Sequence, residues 1–582
     1  MKGGAMQPQD TTTLRGVVHE LNAELVPSRF EKAQQAESGG VQLAFRTLKQ
    51  RLWLTLNWQA DCPRFHAIEP PPRLGEGSTL AQQLQHGLKG LALVRLEQLP
   101  WERVVHLGFA PRPDAPEQRQ LVLELMGRHS NLFLLDERQQ VISSGRQVRE
   151  HQSRLRPIST GDSYSAPPPL QGAEPQVQES LERWRQRLLL LPESIGRALM
   201  GSYRGISPAL RDQLLQTAGL DRHTPAADLS SAQWQQLFDS WQQWLSQLDS
   251  QALQFASSGS GYRCWGEPSP CQSNTPLALN LSLARYYGQG LRQAQCQQQR
   301  QRLEQHLQQL VQREQRELQR QELLLARSGD EHLLQRQADL LLCRSDVSSS
   351  GHHQLELQDP ESNQTLVVRL DPQQTLVSQA QKLYQRARKL RRSVAAIEPR
   401  LRRHQQRLEL LEASQVQLQL ADPGDADVLE ALADDLEPFL KTKASQSKSS
   451  RRQQGTPSPL MLQSPSGLPL LVGRNHRQND WISFRQARRG DLWFHAQEQP
   501  GSHVVLKGSE GEISDADLQT AADLAAHFSR SRGNKKVPVV MVPTEQLQRI
   551  PGMGPGLVRH GNGRVLWGEP DRALGLLPTL QP

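Results

Sequence analysis

Glu124-Leu125-Met126-Gly127-Arg128-His129-Ser130-Asn131 gathers a carboxylate, a guanidinium, an imidazole, a hydroxyl and an amide within eight residues. Apolar runs flank it, Leu121-Val122-Leu123 before and Leu132-Phe133-Leu134-Leu135 after. Polar groups set between two apolar strands must find hydrogen-bond partners. Two kinds of partner are open: one another, as in Glu124 with Arg128, or a polar ligand. A second acid–arginine pair, Glu102-Arg103, opens the strand-like run at Val104-Val105. Near the other end, Arg474, Asn475, Arg477, Asn479 and Asp480 precede one apolar run, and Arg488, Arg489 and Asp491 precede another. Trp493, His495, Ser502 and His503 follow among these basic residues. Guanidinium groups neutralise phosphate, indole and imidazole rings stack on bases, and Asn offers a paired donor and acceptor, so the set suits RNA. At a strand centre, Trp493 reads equally well as core.

The chain carries no Walker A loop, no Gly-x-Ser-x-Gly elbow and no His-Glu-x-x-His helix. His495 and His503 stand eight apart across Pro500-Gly501 with no third partner at ligand spacing. Neither a metal nor another cofactor is therefore expected. Cys62, Cys264, Cys271, Cys296 and Cys343 are odd in number and scattered, which suits free thiols in a reducing cytosol.

From Lys441 to Pro582 there are nineteen Lys/Arg against eleven Asp/Glu, a surplus equal to the +8 of the whole chain. A basic surface of this kind attracts phosphate without reading sequence, although solubilising charge would look the same. No apolar run reaches eighteen residues and Met1–Pro8 lacks the apolar core of a signal peptide, so a cytoplasmic, non-membrane protein is expected.

These residues need elements to hold them, and 582 residues exceed what one core organises. Residues 1–172 alternate apolar and polar in short runs such as Val41–Arg46 and Arg51–Leu56, with helices near Leu14–Leu25 and Thr79–Gly90. This reads as an α+β domain ending at the Pro-rich Ala166–Pro169. Residues 173–278 read as the next domain, helical over residues 175–256. There Ser207 caps and Pro208 opens a helix after Gly205, a tight turn that fits either a phosphate-gripping helix-hairpin-helix domain or a plain connection.

Residues 279–440 read as a coiled-coil middle domain. Leu383, Ala387, Leu390, Val394, Ile397, Leu401, His404, Leu408 and Leu411 alternate four and three apart, while Val311, Leu318 and Leu325 repeat every seven. Between the arms, Gln354–Leu357 and Thr365–Val368 flank a turn, which predicts a hairpin in a small tip near residues 330–372. An intramolecular antiparallel pair follows, each forty-residue arm roughly 60 Å long. Residues 441–459 are a polar, basic linker. Residues 460–582 return to strands at Leu470–Val472, Trp481–Phe484, Leu492–Phe494 and Val504–Leu506. A helix from Ser514 to Arg530 follows, with Ser514 and Asp517 as a capping box.

Taken in order, Glu124–Asn131, Asn475–Asp480, Asp491–His495, Pro500–Val504, Ala521–Ser529 and Val537–Val539 resemble the motifs of the NFACT family of ribosome quality-control proteins, nearly end to end. The resemblance implies a multidomain α+β fold: an N-terminal NFACT domain, a helix-hairpin-helix domain, a long antiparallel coiled coil with a small tip and a C-terminal α+β RNA-binding domain. It implies a non-catalytic adaptor that binds large ribosomal subunits obstructed by peptidyl-tRNA. Such an adaptor recruits tRNA, in bacteria alanyl-tRNA, for template-independent C-terminal tailing of the stalled chain, with peptide bonds made by the ribosome.

On this reading Glu102, Arg103, Glu124, Arg128, His129, Ser130 and Asn131 meet tRNA. Arg474, Asn475, Arg477, Asn479, Asp480, Arg488, Arg489, Asp491, Trp493, His495, Ser502 and His503 meet ribosomal RNA. One departure stands out. The family opens the strand with Asp-Arg, and Glu102 carries its carboxylate one methylene further, which puts tailing in doubt more than binding. The alternatives are a fibronectin-binding surface adhesin, or a general RNA-binding protein without tailing. A DNA glycosylase of the formamidopyrimidine type would need an N-terminal Pro-Glu and a four-Cys finger, neither of which appears.

Overall fold

Asp10 starts the first helix. Its carboxylate accepts the Thr13 N–H at 2.8 Å, and α1 (Thr11–Leu25) follows with Leu14, Val17, Leu21 and Leu25 spaced by three and four and all buried. The computed structural model describes residues 6–35, 39–72, 78–149, 156–259, 261–266, 275–327, 331–344, 353–360, 365–422, 424–440, 457–550 and 554–577. It divides into two units, Met1–Arg292 and Gln293–Pro582.

In the first unit α1 packs on an antiparallel sheet. Its strands are β1 (Ser28–Gln34), β2 (Gly40–Arg46), β3 (Arg51–Asn57) and β4 (Arg64–Ile68), then, after helix α2 (Thr79–Gly87), β5 (Ala92–Gln98), β6 (Val104–Ala110), β7 (Arg119–Glu124), β8 (Asn131–Asp136) and β9 (Val141–Ser144). The order is β4-β3-β2-β1-β5-β6-β7-β8-β9, so the last five strands form a meander. Period-two alternation gives the meander two apolar faces. Val105, Leu107, Leu121 and Leu123 join the core beneath α1, whereas Val104, Val122, Phe133 and Leu135 form a second core with Ile158.

Helices α3 (Leu181–Leu188), α4 (Ile195–Ser202), α5 (Pro208–Thr217) and α6 (Ser231–Asp249) bury Trp184, Trp234, Trp241 and Trp244 together. Ser207 caps α5 as expected, accepting the Leu210 N–H at 2.9 Å, and Pro208 opens it. The α4–α5 turn passes Gly205 at φ +75°, where a Cβ would also stand 3.1 Å from the Trp101 ring. The Ser207 hydroxyl donates to Asp10 at 2.9 Å, tying this turn to the start of α1. A short hairpin, β10 (Ala256–Ser258) and β11 (Gly261–Arg263), completes the packing.

The middle of the chain forms α7 (Ala278–Arg327), α8 (Glu331–Cys343), the hairpin β12 (Gln354–Gln358) with β13 (Thr365–Arg369), α9 (Leu376–Leu420) and α10 (Ala426–Leu440). All nine heptad positions from Leu383 to Leu411 lie on α9 and are at least partly buried. His404 pairs with Glu314 at 2.6 Å, Arg391 with Glu331, and Tyr384 with Asp339, so positions rise on one arm as they fall on the other. The arms are antiparallel, as the intervening hairpin required. Helix α8 lies along α9, and the sheet of the tip is the β12–β13 hairpin. Among the described residues, no helix is long and apolar enough to cross a membrane.

The last domain pairs β14 (Leu460–Gln463), β15 (Pro469–Val472), β16 (Leu492–Ala496), β17 (Val504–Leu506), β18 (Val537–Pro543) and β21 (Arg564–Gly568) in the order β14-β15-β17-β16-β18-β21. A small ribbon, β19 (Gln548–Arg549) with β20 (Val558–Arg559), stands beside it. Helix α12 (Asp515–His527), with the expected Ser514–Asp517 capping box, covers one face. One predicted strand is overturned. Trp481–Phe484 is helical, continuing α11 (His476–Trp481) into a π turn over Ile482–Gln486. Asn475 starts the helix by accepting the Gln478 N–H at 2.8 Å, and the Gln478 side chain accepts the Arg474 N–H at 2.8 Å. Four residues of alternation are too few to overrule such a cap.

Candidate nucleic-acid interface

Strand register brings the two N-terminal clusters together. Val104 pairs with Glu124 and Glu124 with Asn131, and the Leu125 N–H donates to the Arg103 carbonyl at 2.9 Å. The side chains then part. Glu124, 1% exposed, lies on the Val104–Val122 face. Its carboxylate accepts both Arg156 Nη1 at 2.8 Å and Nη2 at 2.6 Å, and the Tyr164 hydroxyl at 2.9 Å. The internal partner of Glu124 is thus Arg156, not Arg128. Burial of the Arg156 guanidinium is outweighed by Glu124, which holds its pKa above the ordinary value. Arg103 sits near Asp10 at the start of α1, with no ion pair among the described residues. Its burial lowers its pKa. Glu102 Oε1 accepts the Leu170 N–H at 2.9 Å.

Between β7 and β8 the chain makes a single 3-10 turn, Gly127–His129, with Gly127 at φ +56°. Ser130, buried, closes it by accepting the Met126 N–H at 2.7 Å. Asn131, also buried, grips the backbone of Arg146, donating to its carbonyl at 2.7 Å and accepting its N–H at 2.9 Å. Arg146 in turn donates to the Arg128 carbonyl at 2.9 Å. Arg128, His129 and Arg146 remain exposed at the rim of a cavity of about 760 Å³ whose floor holds Phe133 and the Glu124–Arg156 pair. With Glu124 neutralised by Arg156, the rim is cationic.

In the last domain most of the motif is interior. Asp491 is fully buried and binds Lys507 Nζ at 2.5 Å, the Ser509 hydroxyl at 2.7 Å and the Arg488 N–H at 2.8 Å. Burial works against this carboxylate, but the bonds from Lys507 and Ser509 overcome it and hold the pKa below the usual range. Asn479 accepts the His503 N–H at 3.1 Å, and His503 meets Ser483 Oγ through Nδ1 at 2.8 Å. Trp493, 1% exposed, stacks on His495 with centroids 5.5 Å apart and meets His503 edge-on at 5.0 Å. Burial pushes the His495 pKa down to about 4 and that of His503 well below its ordinary value, so both rings are neutral at pH 7. Ser502, in the loop before β17, is buried against the end of α12, its N–H bound to the Phe528 carbonyl at 2.8 Å.

Arg474 pairs with Asp425 at 2.7 Å, Arg477 with Asp435 at 3.4 Å and Asp480 with Arg549 at 2.7 Å. Arg485, Arg488 and Arg489 are exposed. Among the described residues no group of His, Cys, Asp or Glu could hold a metal. Cys264, Cys296 and Cys343 are free thiols, and Cys271 lies outside the described residues.

Residues 10–453 match the family model for the NFACT N-terminal and middle domains. The chain belongs to the NFACT family. Residues 460–561 match the NFACT protein RNA binding domain. Among relatives, the "Rqc2 homolog RqcH" of Bacillus subtilis is 25% identical over 590 residues, covering 96% of this chain and 97% of that protein. The protein of the same name from Streptococcus pneumoniae is 26% identical over 565 residues, with the same coverage. Solved structures include the C-terminal part of a fibronectin/fibrinogen-binding protein from Streptococcus suis, at 24% identity. It covers 48% of this chain and 98% of that one, at a TM-score of 0.38.

Within the NFACT motifs, the sequence pointed to the turn residues but missed what holds them. Arg156 and Tyr164 lie 32 and 40 residues beyond Glu124, and Arg146 lies 15 beyond Asn131. A buried Glu requires a cation, but five arginines, Arg128, Arg138, Arg146, Arg149 and Arg154, precede Arg156 in the sequence and compete for that role.

Proposed function

We propose that this chain is a ribosome quality-control adaptor. It binds large ribosomal subunits that still carry peptidyl-tRNA and recruits tRNA, alanyl-tRNA by preference, for C-terminal tailing of the stalled chain. The ribosome supplies peptide-bond chemistry, the chain is no enzyme and it acts in the cytoplasm. What supports the reading is the agreement over 96% of its length with proteins named "Rqc2 homolog RqcH", with both NFACT regions in order.

Contact falls to the exposed cations. On the N-terminal domain Arg128 stands exposed beside the cavity with the ring of His129, and the half-buried Arg103 lies on the opposite face near α1. On the last domain they are Arg488 and Arg489. Glu124, Ser130, Asn131, Asn475, Asn479, Asp491, Trp493, Ser502 and His503 act by positioning, since their polar atoms are engaged internally or their rings are buried. The α4–α5 turn is a further candidate for gripping phosphate through backbone N–H groups. Glu102, in place of the family's Asp, spends one carboxylate oxygen on Leu170 and leaves Arg103 free for tRNA.

The test is sedimentation of lysates from translation-stalled cells, followed by analysis of tailing. The chain should travel with large subunits and tRNA. Arg103→Ala should keep subunit binding and lose alanine tails. Recovery only as free protein sinks the adaptor reading, and unchanged tails in Arg103→Ala sink the role of Arg103.

A further inference from the structure

A second cavity, of about 400 Å³, lies within the C-terminal unit between the end of α9, the start of α10 and the last domain. Its walls are largely apolar, from Leu420, Val428, Leu460, Phe528 and Leu577. That volume lies in the range of sites for small organic groups, roughly 300–1,000 Å³.

One wall residue is out of place. Gln417, on α9, is 4% exposed, and neither its amide oxygen nor its amide nitrogen has a hydrogen-bond partner. Leaving both ends of an amide unmet inside a fold is costly, and an apolar residue of the same length would avoid the cost. Across the cavity Arg474 shows the same signature. Its Nη1 is held by Asp425 at 2.7 Å while its buried Nε has no partner. Three unmet polar atoms, two donors and one acceptor, therefore border one cavity with apolar walls.

We propose that this cavity takes a single unstacked nucleobase of RNA. The argument is one of complementarity. A base is flat, with apolar faces to lie against Phe528 and the leucines, and with donors and acceptors along its edge. A primary amide matches such an edge with one donor and one acceptor, as Gln does with adenine. An apolar peptide side chain would fill the volume but leave Gln417 as it is. Charge agrees with a neutral group. Asp425 is paired with Arg474, and the remaining charged lining residues, Asp422 and Arg532, are one of each sign. The inference rests on reading the last domain as an RNA binder and adds what it binds at this point: a base, where the exposed arginines bind phosphate.

The test uses the full-length chain and two single-stranded RNAs of equal length, one with bases and one abasic, with affinity read by fluorescence anisotropy. Wild type should bind the base-bearing RNA about tenfold more tightly, the scale of one good paired contact. Gln417→Met should remove that difference and leave affinity for abasic RNA unchanged. Phe528→Leu should reduce it, and melting of both variants confirms that the fold is kept.

A Gln417→Met chain that still prefers bases overturns the proposal while the RNA-binding reading stands. So does wild type that binds both RNAs equally. Binding of neither RNA overturns both. Protection of residues 413–421 from hydrogen exchange by a polypeptide, and not by RNA, also overturns it in favour of a protein ligand.

Discussion

Glu124→Ala separates a positioning role from a contact role at the most conspicuous N-terminal motif. In the fold this carboxylate is 1% exposed and holds two Arg156 nitrogens and the Tyr164 hydroxyl. Removing it strands a guanidinium whose side chain is 16% exposed. Breaking a buried pair from one side costs about 3–5 kcal/mol. Arg156 keeps its bonds to the Ser165 carbonyl, which places the loss near the lower figure. An orphaned Tyr164 hydroxyl adds about 1 kcal/mol. A loss of about 3–4 kcal/mol corresponds to a fall in Tm of roughly 6–16 °C for a domain of about 150–250 residues. The assay is thermal unfolding of wild type, Glu124→Ala, Arg156→Met and the double variant. The double should melt close to the worse single, because each removes the same interaction. If Glu124→Ala melts within about 1 °C of wild type yet weakens tRNA binding, Glu124 faces ligand and the assignment to Arg156 is wrong.

Two further outcomes follow from charge. His66, 2% exposed and stacked on Tyr287, has its pKa pushed down to about 4 by burial, against an unfolded value near 6.5. A depressed histidine binds its proton in the unfolded chain first, so its stabilisation is full above pH 6.5. As pH falls toward 4 it is lost at about 1.4 kcal/mol per pH unit. Ring-proton NMR titration should place His66 and His495 near 4, and midpoints near 6.5 with the fold intact would refute this. Arg488→Gln with Arg489→Gln should leave Tm unchanged, since both side chains are exposed, and should flatten the salt dependence of RNA affinity by about one unit of log–log slope per phosphate contact removed. An unchanged slope would move the phosphate contacts elsewhere.

Local rules carried far along this chain. Period-two alternation placed the strands around Glu124 and Asp491, and the heptads of α9 placed the arm. Caps at Ser207 and Ser514 fixed two helix starts. Each of these signals is complete within a dozen residues. What failed was either too short or too distant. Trp481–Phe484 offers four residues of ambiguous pattern, decided by a cap six residues earlier. Glu124 finds its partner on a segment beyond β9, and Asn479 finds His503 twenty-four residues on. Pairings of that range depend on the packed sheet, so no local pattern announces them.

The same distinction explains why the candidate sites looked richer in sequence than in space. A turn that displays arginines to a polyanion must itself be held, and short polar side chains are what hold it. Asp491 binds the backbone of Arg488, and Arg488 and Arg489 then stand clear of the domain. Asn131 binds the backbone of Arg146 twice, Arg146 binds the carbonyl of Arg128, and Arg128 stands clear beside it. In both domains the carboxylate or amide is spent on N–H and C=O groups that the turn cannot pair for itself. Acids and amides beside arginines therefore record two needs at once, a ligand's and a turn's. Burial assigns them: the arginine in water is free for phosphate, and the short side chain beneath it is not. Exchanging Asp491 for Asn should on this logic disturb the turn and the fold before it disturbs any contact, whereas exchanging Arg489 should do the reverse.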